Sequence, residues 1–198
     1  MAESAVEPEE RSALPLAQAA ALLGSYCYIE RRLYELTGAW SVEVDQPRAQ
    51  VHLDQVSQQH AWHAQLFADR LPVLAGVETD SLIRPLGTVD TVLEALAAAP
   101  SPLERLAGLY RVVVPRLVTT YGRHLRRAVP VTDAPVVRAL RLVRTDELAA
   151  WQAGEALVQS LVDGPGASVA AAIVGRLEGN LAGAAPGLGL VPWPGRRT

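Results

Sequence analysis

The stretch LDQVSQQHAWHAQLF, residues 53–67, decides the fold because it has the pattern of one buried helix face. Five of its residues recur at intervals of three and four: Leu53, Val56, His60, His63 and Phe67. That spacing places them on one side of a helix, turned toward a core. Ionisable groups on such a face are costly unless they are paired, hydrogen-bonded or bound to metal. The two histidines therefore predict a polar site inside a helical bundle.

A second stripe with the same periodicity lies far downstream and contains a carboxylate. Its members are Val136, Leu140, Val143, Glu147 and Leu157. Glu147 therefore faces a core in the same way as the two histidines, which makes it a candidate partner for them.

Composition limits the class of protein. With 198 residues, of which 49% are hydrophobic and 20% charged, one globular domain is expected. The net charge of −3 argues against a nucleic-acid partner, and no apolar run reaches the roughly 18 residues of a membrane span. Cys27 is the only cysteine, so no intrachain disulfide and no thiolate metal cluster can form, and we expect it to be an inert core residue.

All eighteen basic residues are arginine. The lack of lysine excludes chemistry that depends on a Schiff-base or P-loop lysine. Together with abundant Ala, Gly, Pro, Val and Leu, it is also typical of a GC-rich bacterial genome.

The chain divides into three parts. Residues 1–13 are predicted to be a disordered acidic tail, with four glutamates before the first arginine, which is the reverse of a secretory signal. We therefore expect a cytoplasmic protein. Residues 14–182 are predicted to form one helical domain, and residues 183–198 form a Gly/Pro-rich tail that packs over it or onto a partner subunit.

Four long helices are predicted in the central part. They cover about residues 15–40, 47–74, a third from 101, and 135–162, with a brief helical run at 88–99 and a small-residue helix between a break at 164–166 and residue 181. Asp45 is the expected N-cap of the second helix, with Pro47 in its first turn. Ser101 and Glu104 have capping-box spacing, and Pro115 should kink the third helix.

The connections between the four predicted helices are short, long and short in turn. This order of lengths resembles that of the ferritin-like superfamily. Proteins of this superfamily carry a Glu in the first helix, Glu-x-x-His in the second, a Glu in the third and Glu-x-x-His in the fourth. Glu30 stands at the first position, His63 at the histidine of the second helix and Glu147 at the glutamate of the fourth. The resemblance covers about residues 15–162. It implies an all-α, ferritin-like four-helix bundle with a long crossover between helices 2 and 3 and an extra C-terminal helix.

Three of the six ligand positions depart from that pattern. His60 stands where a bridging glutamate is expected, and Ala150 stands where the last histidine is expected. The third helix has no acid between Arg105 and Arg127. Too few carboxylates remain to balance two metal ions, so a di-iron site is not expected.

Two interpretations of the remaining residues stay open. In the one that the sequence favours, His60 and His63 belong to a metal-free polar network, no cofactor is needed, and the protein binds a small molecule or serves as a homodimeric scaffold. The polar partners available to the histidines are Glu30, Glu147, Tyr26 and Gln59. In the alternative, His60, His63 and Glu147, with Glu30 as a further candidate, bind one iron or manganese ion in a mononuclear, metal-dependent oxidoreductase.

The other two histidines are expected to have ordinary roles. His52 lies off the apolar stripe, so we expect its side chain to be exposed. His124 lies near the end of the third helix, where a cation is favoured by the helix dipole, and a ligand role is not expected for it.

Three arginines of the third helix could hold an anionic ligand, but ion pairs with acids of neighbouring helices are expected instead. The arginines are Arg111, Arg116 and Arg123, and the acids include Asp146 and Glu155. Trp62 and Trp151 lie beside the core rows, and together with the C-terminal tail they favour a homodimer. No nucleic-acid or membrane partner is expected.

Overall fold

In a computed structural model, the described residues are 11, 13–182 and 189–194, and all of their regular structure is helical. The helices are α1 (Leu16–Glu43), α2 (Pro47–Ala68), α3 (Val89–Ala97), α4 (Pro102–Gly108), α5 (Val114–Arg127), α6 (Ala134–Leu161) and α7 (Gly164–Ala182). The all-α prediction is therefore confirmed. The predicted acidic tail lies outside the described residues except for 11 and 13, and the predicted C-terminal tail lies outside them except for 189–194.

The most extensive contact between helices is that of α1 with α2, which run antiparallel. The Cys27 thiol on α1 donates to the carbonyl of Ala64 on α2, and the Ser57 hydroxyl donates to the carbonyl of Tyr34. Because later residues of α1 meet earlier residues of α2, the short connection of residues 44–46 reverses the chain. Cys27 is buried, as expected.

The start and end of α2 differ from the prediction. The helix ends at Ala68, not near 74, because Pro72 cannot donate to the Ala68 carbonyl and disfavours a helical Leu71. Asp45 is not its N-cap. Since Pro47 occupies the first helical position, the N-cap falls on Gln46, whose side chain makes no capping hydrogen bond.

The segment between α2 and α4 contains a 3₁₀ turn (Thr79–Leu82) and then α3, which agrees with the brief helical run predicted there. One face of α3 is fully buried, through Val89, Val92, Leu93 and Leu96. This apolar face packs against α1, α4 and α7. None of the helices in the described ranges combines the length and the apolar character that a membrane crossing requires.

The third predicted helix is interrupted where a proline interferes with its hydrogen bonds. The Ser101 hydroxyl accepts from the backbone N–H of Glu104, which confirms the predicted cap of α4. Between α4 and α5 lies a π-helical turn (Leu109–Val113), in which the Val114 N–H reaches back five residues to the Leu109 carbonyl. Pro115 follows at once and has no N–H to continue the regular ladder. The kink expected at Pro115 therefore takes the form of a widened turn just before it.

The last two helices are separated by a shorter break than predicted. Residues 164–166 are not a loop but the first turn of α7. The Asp163 carboxylate accepts from the Gly166 N–H at 2.6 Å, and Pro165 suits a first turn because its missing N–H needs no partner there. Helix α7 packs on α3 and α4. Residues 189–194 lie against α5, where the Leu190 N–H donates to the Thr120 hydroxyl at 2.8 Å.

Gly24 brings α1 into direct contact with the segment that follows α2. A Cβ atom at this position would overlap the backbone carbonyl oxygen of Leu82, at the end of the 3₁₀ turn. We expect Gly24→Ala to reduce the free energy of unfolding by about 1–3 kcal/mol, because backbone must move to make room. The measurement is urea unfolding followed by circular dichroism.

Gly175→Ala is the matched control for this substitution. Gly175 lies within α7, where an added Cβ would meet no atom within 4 Å. The better helix propensity of alanine should therefore raise the free energy of unfolding, by up to about 1 kcal/mol. Equal effects at the two glycines would contradict the close approach of α1 and Leu82.

Candidate metal centre

Three helices bring four ionisable side chains together in the core. Glu30 comes from α1, His60 and His63 from α2, and Glu147 from α6. Each is at most 2% exposed. One donor atom from each residue lies within 4.8 Å of the others. All four candidate residues from the sequence therefore meet in a single cluster, called the Glu30 cluster below.

The two histidine rings point the same nitrogen at the same two carboxylates. His60 Nδ1 lies 2.7 Å from Glu30 Oε2 and 3.3 Å from Glu147 Oε1. His63 Nδ1 lies 3.1 Å from Glu147 Oε1 and 3.5 Å from Glu30 Oε2. The i, i+3 spacing on α2 is what lets both rings reach one place. The four atoms thus form a compact group with oxygen and nitrogen alternating around it.

Burial and charge act in opposite directions on these groups. Burial favours a neutral Glu30, but hydrogen bonds and charge from His60 and His63 outweigh it and lower its pKa to about 2. Burial also favours neutral histidines, but the two carboxylates outweigh it, raising the pKa of His60 and taking the pKa of His63 to about 10. Without a metal, protons on the imidazoles balance the charge of the carboxylates.

Two further side chains hold members of the cluster from outside. The Tyr121 hydroxyl on α5 donates to Glu30 Oε1 at 2.5 Å. His63 Nε2 lies 3.2 Å from Asp146 Oδ2, so the ring is held on both sides. The sequence predicts neither role: no function is expected there for Tyr121, and Asp146 is expected to pair with an arginine. A buried tyrosine hydroxyl needs a partner, and that was the available signal for Tyr121.

One oxygen of the cluster has no hydrogen-bond partner. Glu147 Oε2 is fully buried and has no hydrogen-bond partner among the residues that the structure describes. A buried carboxylate oxygen left in this state is costly, and such atoms are rare in folded proteins. The other oxygen of this carboxylate, Oε1, lies beside both imidazoles, which is the position of a metal-ligating carboxylate.

The spacing of the donor atoms fits a single metal ion. Four ligands at about 2.0–2.1 Å from a tetrahedral ion stand about 3.3–3.4 Å from one another. The four nitrogen–oxygen distances in the cluster run from 2.7 to 3.5 Å and bracket that value, and one donor atom from each residue lies within 4.8 Å of the others, so one ion can reach all four residues. Two carboxylates also balance the charge of one divalent ion with both histidines neutral, whereas a second ion would leave about two positive charges uncompensated in the core.

The other two histidines lie outside the cluster, and both differ from expectation. His52 is half-buried, not exposed, because its Nε2 lies 2.6 Å from the Tyr110 hydroxyl. His124 is buried, and burial lowers its pKa to about 4, so it is a neutral ring and not a cation at a helix end. Its Nδ1 lies 3.2 Å from the Tyr26 hydroxyl, which explains why Tyr26 is not a partner of His60 or His63.

Two of the three arginines named from the sequence pair with acids, as expected, whereas Arg123 donates to the backbone carbonyl of Val191. Arg111 binds Glu155 through two nitrogens, and Arg116 binds Glu178 on α7. Asp146 differs from the expectation, since it faces His63. Trp62 is 48% exposed on α2, and the homodimer that it favours stays a prediction.

Comparisons with known proteins add no further constraint on the function. No family model, no curated protein and no solved structure matches this chain. The geometry of the Glu30 cluster is therefore the basis for the proposal that follows.

The neutral state of His124 predicts an acid-sensitive contribution to stability. In the folded protein its pKa is about 4, against about 6.5 in the unfolded chain, so below pH 6.5 only the unfolded state takes up this proton. The contribution of His124 to the free energy of unfolding is therefore complete above pH 6.5. It is lost as the pH falls toward 4, and the total loss is about 3 kcal/mol.

His124→Asn should remove this pH dependence while keeping a polar group near Tyr26. We expect the gap in unfolding free energy between the parent and the variant to narrow from pH 7 to pH 4.5 in urea titrations. Parallel curves over that range would show that His124 is not held neutral.

Proposed function

We propose that this protein is a ferritin-like helical protein that binds one divalent transition-metal ion through Glu30, His60, His63 and Glu147. The observation that carries the proposal is the convergence of both histidine Nδ1 atoms on both carboxylates, at 2.7 to 3.5 Å. The second oxygen of the same carboxylate, Glu147 Oε2, has no partner among the described residues, and a metal bound by both oxygens would satisfy it.

The outer contacts of the cluster support ligand roles as well. Ligating histidines usually donate their second ring N–H to a carboxylate, which fixes the ring and presents the other nitrogen to the metal. His63 has this arrangement, with Nε2 beside Asp146 and Nδ1 toward Glu30 and Glu147. If a neutral His63 donates its Nε2–H to Asp146, its Nδ1 presents only a lone pair to Glu30 and Glu147. The approach of this lone pair to two carboxylates is favourable only when a cation or a proton lies between them.

The ligand set favours iron, manganese or zinc. Two imidazoles and two carboxylates suit all three ions, and no thiolate contributes to the group. Iron or manganese would supply one-electron redox chemistry at this place, which agrees with a metal-dependent oxidoreductase. The protein's part is to hold the ion in a dry core, with Tyr121 and Asp146 fixing Glu30 and His63.

The order of the helices supports the ferritin-like part of the proposal. A short link joins α1 and α2, a longer segment follows, and the ligands come from α1, α2 and α6. In this proposal α4 and α5 together form the third helix of the bundle, the segment between α2 and α4 is the crossover, and α7 is the extra helix. His60 then acts as a ligand in its own right at a position where the superfamily carries a glutamate.

Metal content provides the direct test. After incubation with Fe(II), Mn(II) or Zn(II) and desalting, elemental analysis should find about one equivalent of metal in the parent protein. The double variant His60→Ala, His63→Ala should retain none. A metal at about 100 times its Kd should add about 2.7 kcal/mol of stability, or roughly 5–10 °C in Tm for a chain of this size.

His52→Ala is the matched control, because it removes a histidine of the same helix that contacts Tyr110 and not the cluster. It should retain the full equivalent of metal. Loss of metal in His52→Ala as well, or two equivalents in the parent, would contradict a single site at the Glu30 cluster.

A metal-free polar core is the second candidate, and the ion pairs among the four side chains favour it. Protonated imidazoles satisfy the two carboxylates without a metal. In this case the parent retains no metal, its Tm is unchanged by the three ions, and His63→Ala acts only by lowering stability. The small-molecule ligand or scaffold role that the sequence favours would then be the function to pursue.

A further inference from the structure

Aromatic rings in contact with one another lead from the Glu30 cluster to the protein surface. In order from the cluster they are Tyr121, Tyr26, His124 and Trp193. The first three are buried, whereas Trp193 is partly exposed. They come from α5, α1, α5 and residues 189–194. We call this set the aromatic line.

Each contact along the line is close. The Tyr121 and Tyr26 rings meet edge to face with centroids 5.1 Å apart. The Tyr26 and His124 rings lie 5.7 Å apart, and those of His124 and Trp193 lie 5.3 Å apart. Since electron tunnelling weakens steeply with distance, the short separation favours transfer between Tyr121 and Tyr26, and His124 bridges Tyr26 and Trp193 without being oxidised itself.

Both tyrosines face a group that can take their proton. An oxidised phenol is a very strong acid, so a tyrosine is oxidised easily only when a base accepts its proton. The Tyr121 hydroxyl donates to Glu30 Oε1, and the Tyr26 hydroxyl lies 3.2 Å from His124 Nδ1. Burial raises the pKa of the Tyr26 phenol, so its hydroxyl holds its proton until it is oxidised.

The outer end of the line is built as a defined place on the surface. Trp193 lies at the edge of a cleft shared with His124, Asp133 and Val136. The Arg127 guanidinium stacks over the indole ring at 4.9 Å from its centroid. Next to it, the Leu190 N–H is fixed on Thr120, so the segment that carries Trp193 is held against α5. A redox partner could approach the indole there without entering the core.

We propose that Trp193, His124, Tyr26 and Tyr121 form a one-electron route between a small redox partner at the surface and the metal held by the Glu30 cluster. The inner end of the route rests on the proposed metal site. The transfer along the rings is a property of the chain itself, so it can be tested with the metal-free protein.

Electrons and protons balance along this route when an external one-electron oxidant starts the transfer. The oxidant takes one electron from the indole of Trp193. Tyr26 returns an electron to that indole and passes its hydroxyl proton to His124 Nδ1. Tyr121 then reduces the Tyr26 radical, which regains its proton from His124, while the Tyr121 proton moves to Glu30 Oε1. The net result is a reduced oxidant, a neutral Tyr121 radical and a protonated Glu30.

A purely structural role is the competing explanation. Buried tyrosines commonly satisfy their hydroxyls in this way and stabilise a core by edge-to-face contacts. That role would be kept by phenylalanine, apart from the lost hydrogen bond, and it requires no transfer between the rings. The two explanations therefore differ in whether an oxidation at Trp193 reaches Tyr121.

The test uses photogenerated Ru(III) tris-bipyridine as the oxidant on the metal-free full chain. Trp62 and Tyr34, each 48% exposed, are first changed to phenylalanine so that they do not react directly. Electron paramagnetic resonance after freeze-quenching should show a tyrosyl radical in this parent. Tyr121→Phe should move the radical to Tyr26, and Tyr26→Phe should leave a tryptophan radical in place of the tyrosyl signal.

Trp193→Phe should abolish the tyrosyl signal, whereas Tyr28→Phe should leave it unchanged. Tyr28 lies on the same helix as Tyr26, but its hydroxyl binds Asp90 away from the line, which makes it a matched control. Circular dichroism establishes that each variant is folded. A tyrosyl signal that persists in Trp193→Phe, or a tryptophan radical in the parent that never reaches a tyrosine, would overturn the route. Neither result depends on whether the cluster binds metal.

Discussion

The contact between two imidazoles of α2 and the carboxylates of Glu30 and Glu147 is the constraint on which the rest of the structure depends. It joins α1, α2 and α6 at one point in the core, through charges that are almost fully shielded from water. Removing one partner from such a group would leave an uncompensated buried charge, which typically costs about 3–5 kcal/mol. The helices must therefore meet with the four side chains in register, and an incorrect register would be strongly disfavoured.

Periodicity was enough to predict much of this. The periodicity predicts that His60 and His63 on α2 and Glu147 on α6 face the core, and the structure places all three there. Glu30 was harder to predict because it neighbours Ile29 on a strongly apolar helix. The burial of His124 could not be predicted, since it depends on Tyr26 and Trp193, which lie far away in the sequence. The largest errors in the predicted helix ends lie near prolines, at the end of α2 and the start of α7, where a steric rule outweighs periodicity.

The departures from the ferritin-like pattern fit together when they are considered as a set. Compared with the ferritin-like pattern, His60 in place of a bridging glutamate means one negative charge fewer, and α5 presents the neutral hydroxyl of Tyr121 where that pattern has an acid. With Ala150 where the last histidine would stand, four donors and two negative charges remain. That set balances one divalent ion, or two protonated imidazoles. The changes that argue against a di-iron site are thus the ones that suit a mononuclear site.

Anomalous X-ray diffraction from crystals grown with Zn(II) or Mn(II) tests the central claim most directly. The account predicts one peak at the metal absorption edge, about 2.0–2.2 Å from a donor atom of each of Glu30, His60, His63 and Glu147. Glu147 should bind through Oε1, which lies beside both imidazoles, and binding through both of its oxygens would also give Oε2 a partner. Two peaks in the core, or metal bound only at surface carboxylates with the cluster unchanged, would contradict a mononuclear centre.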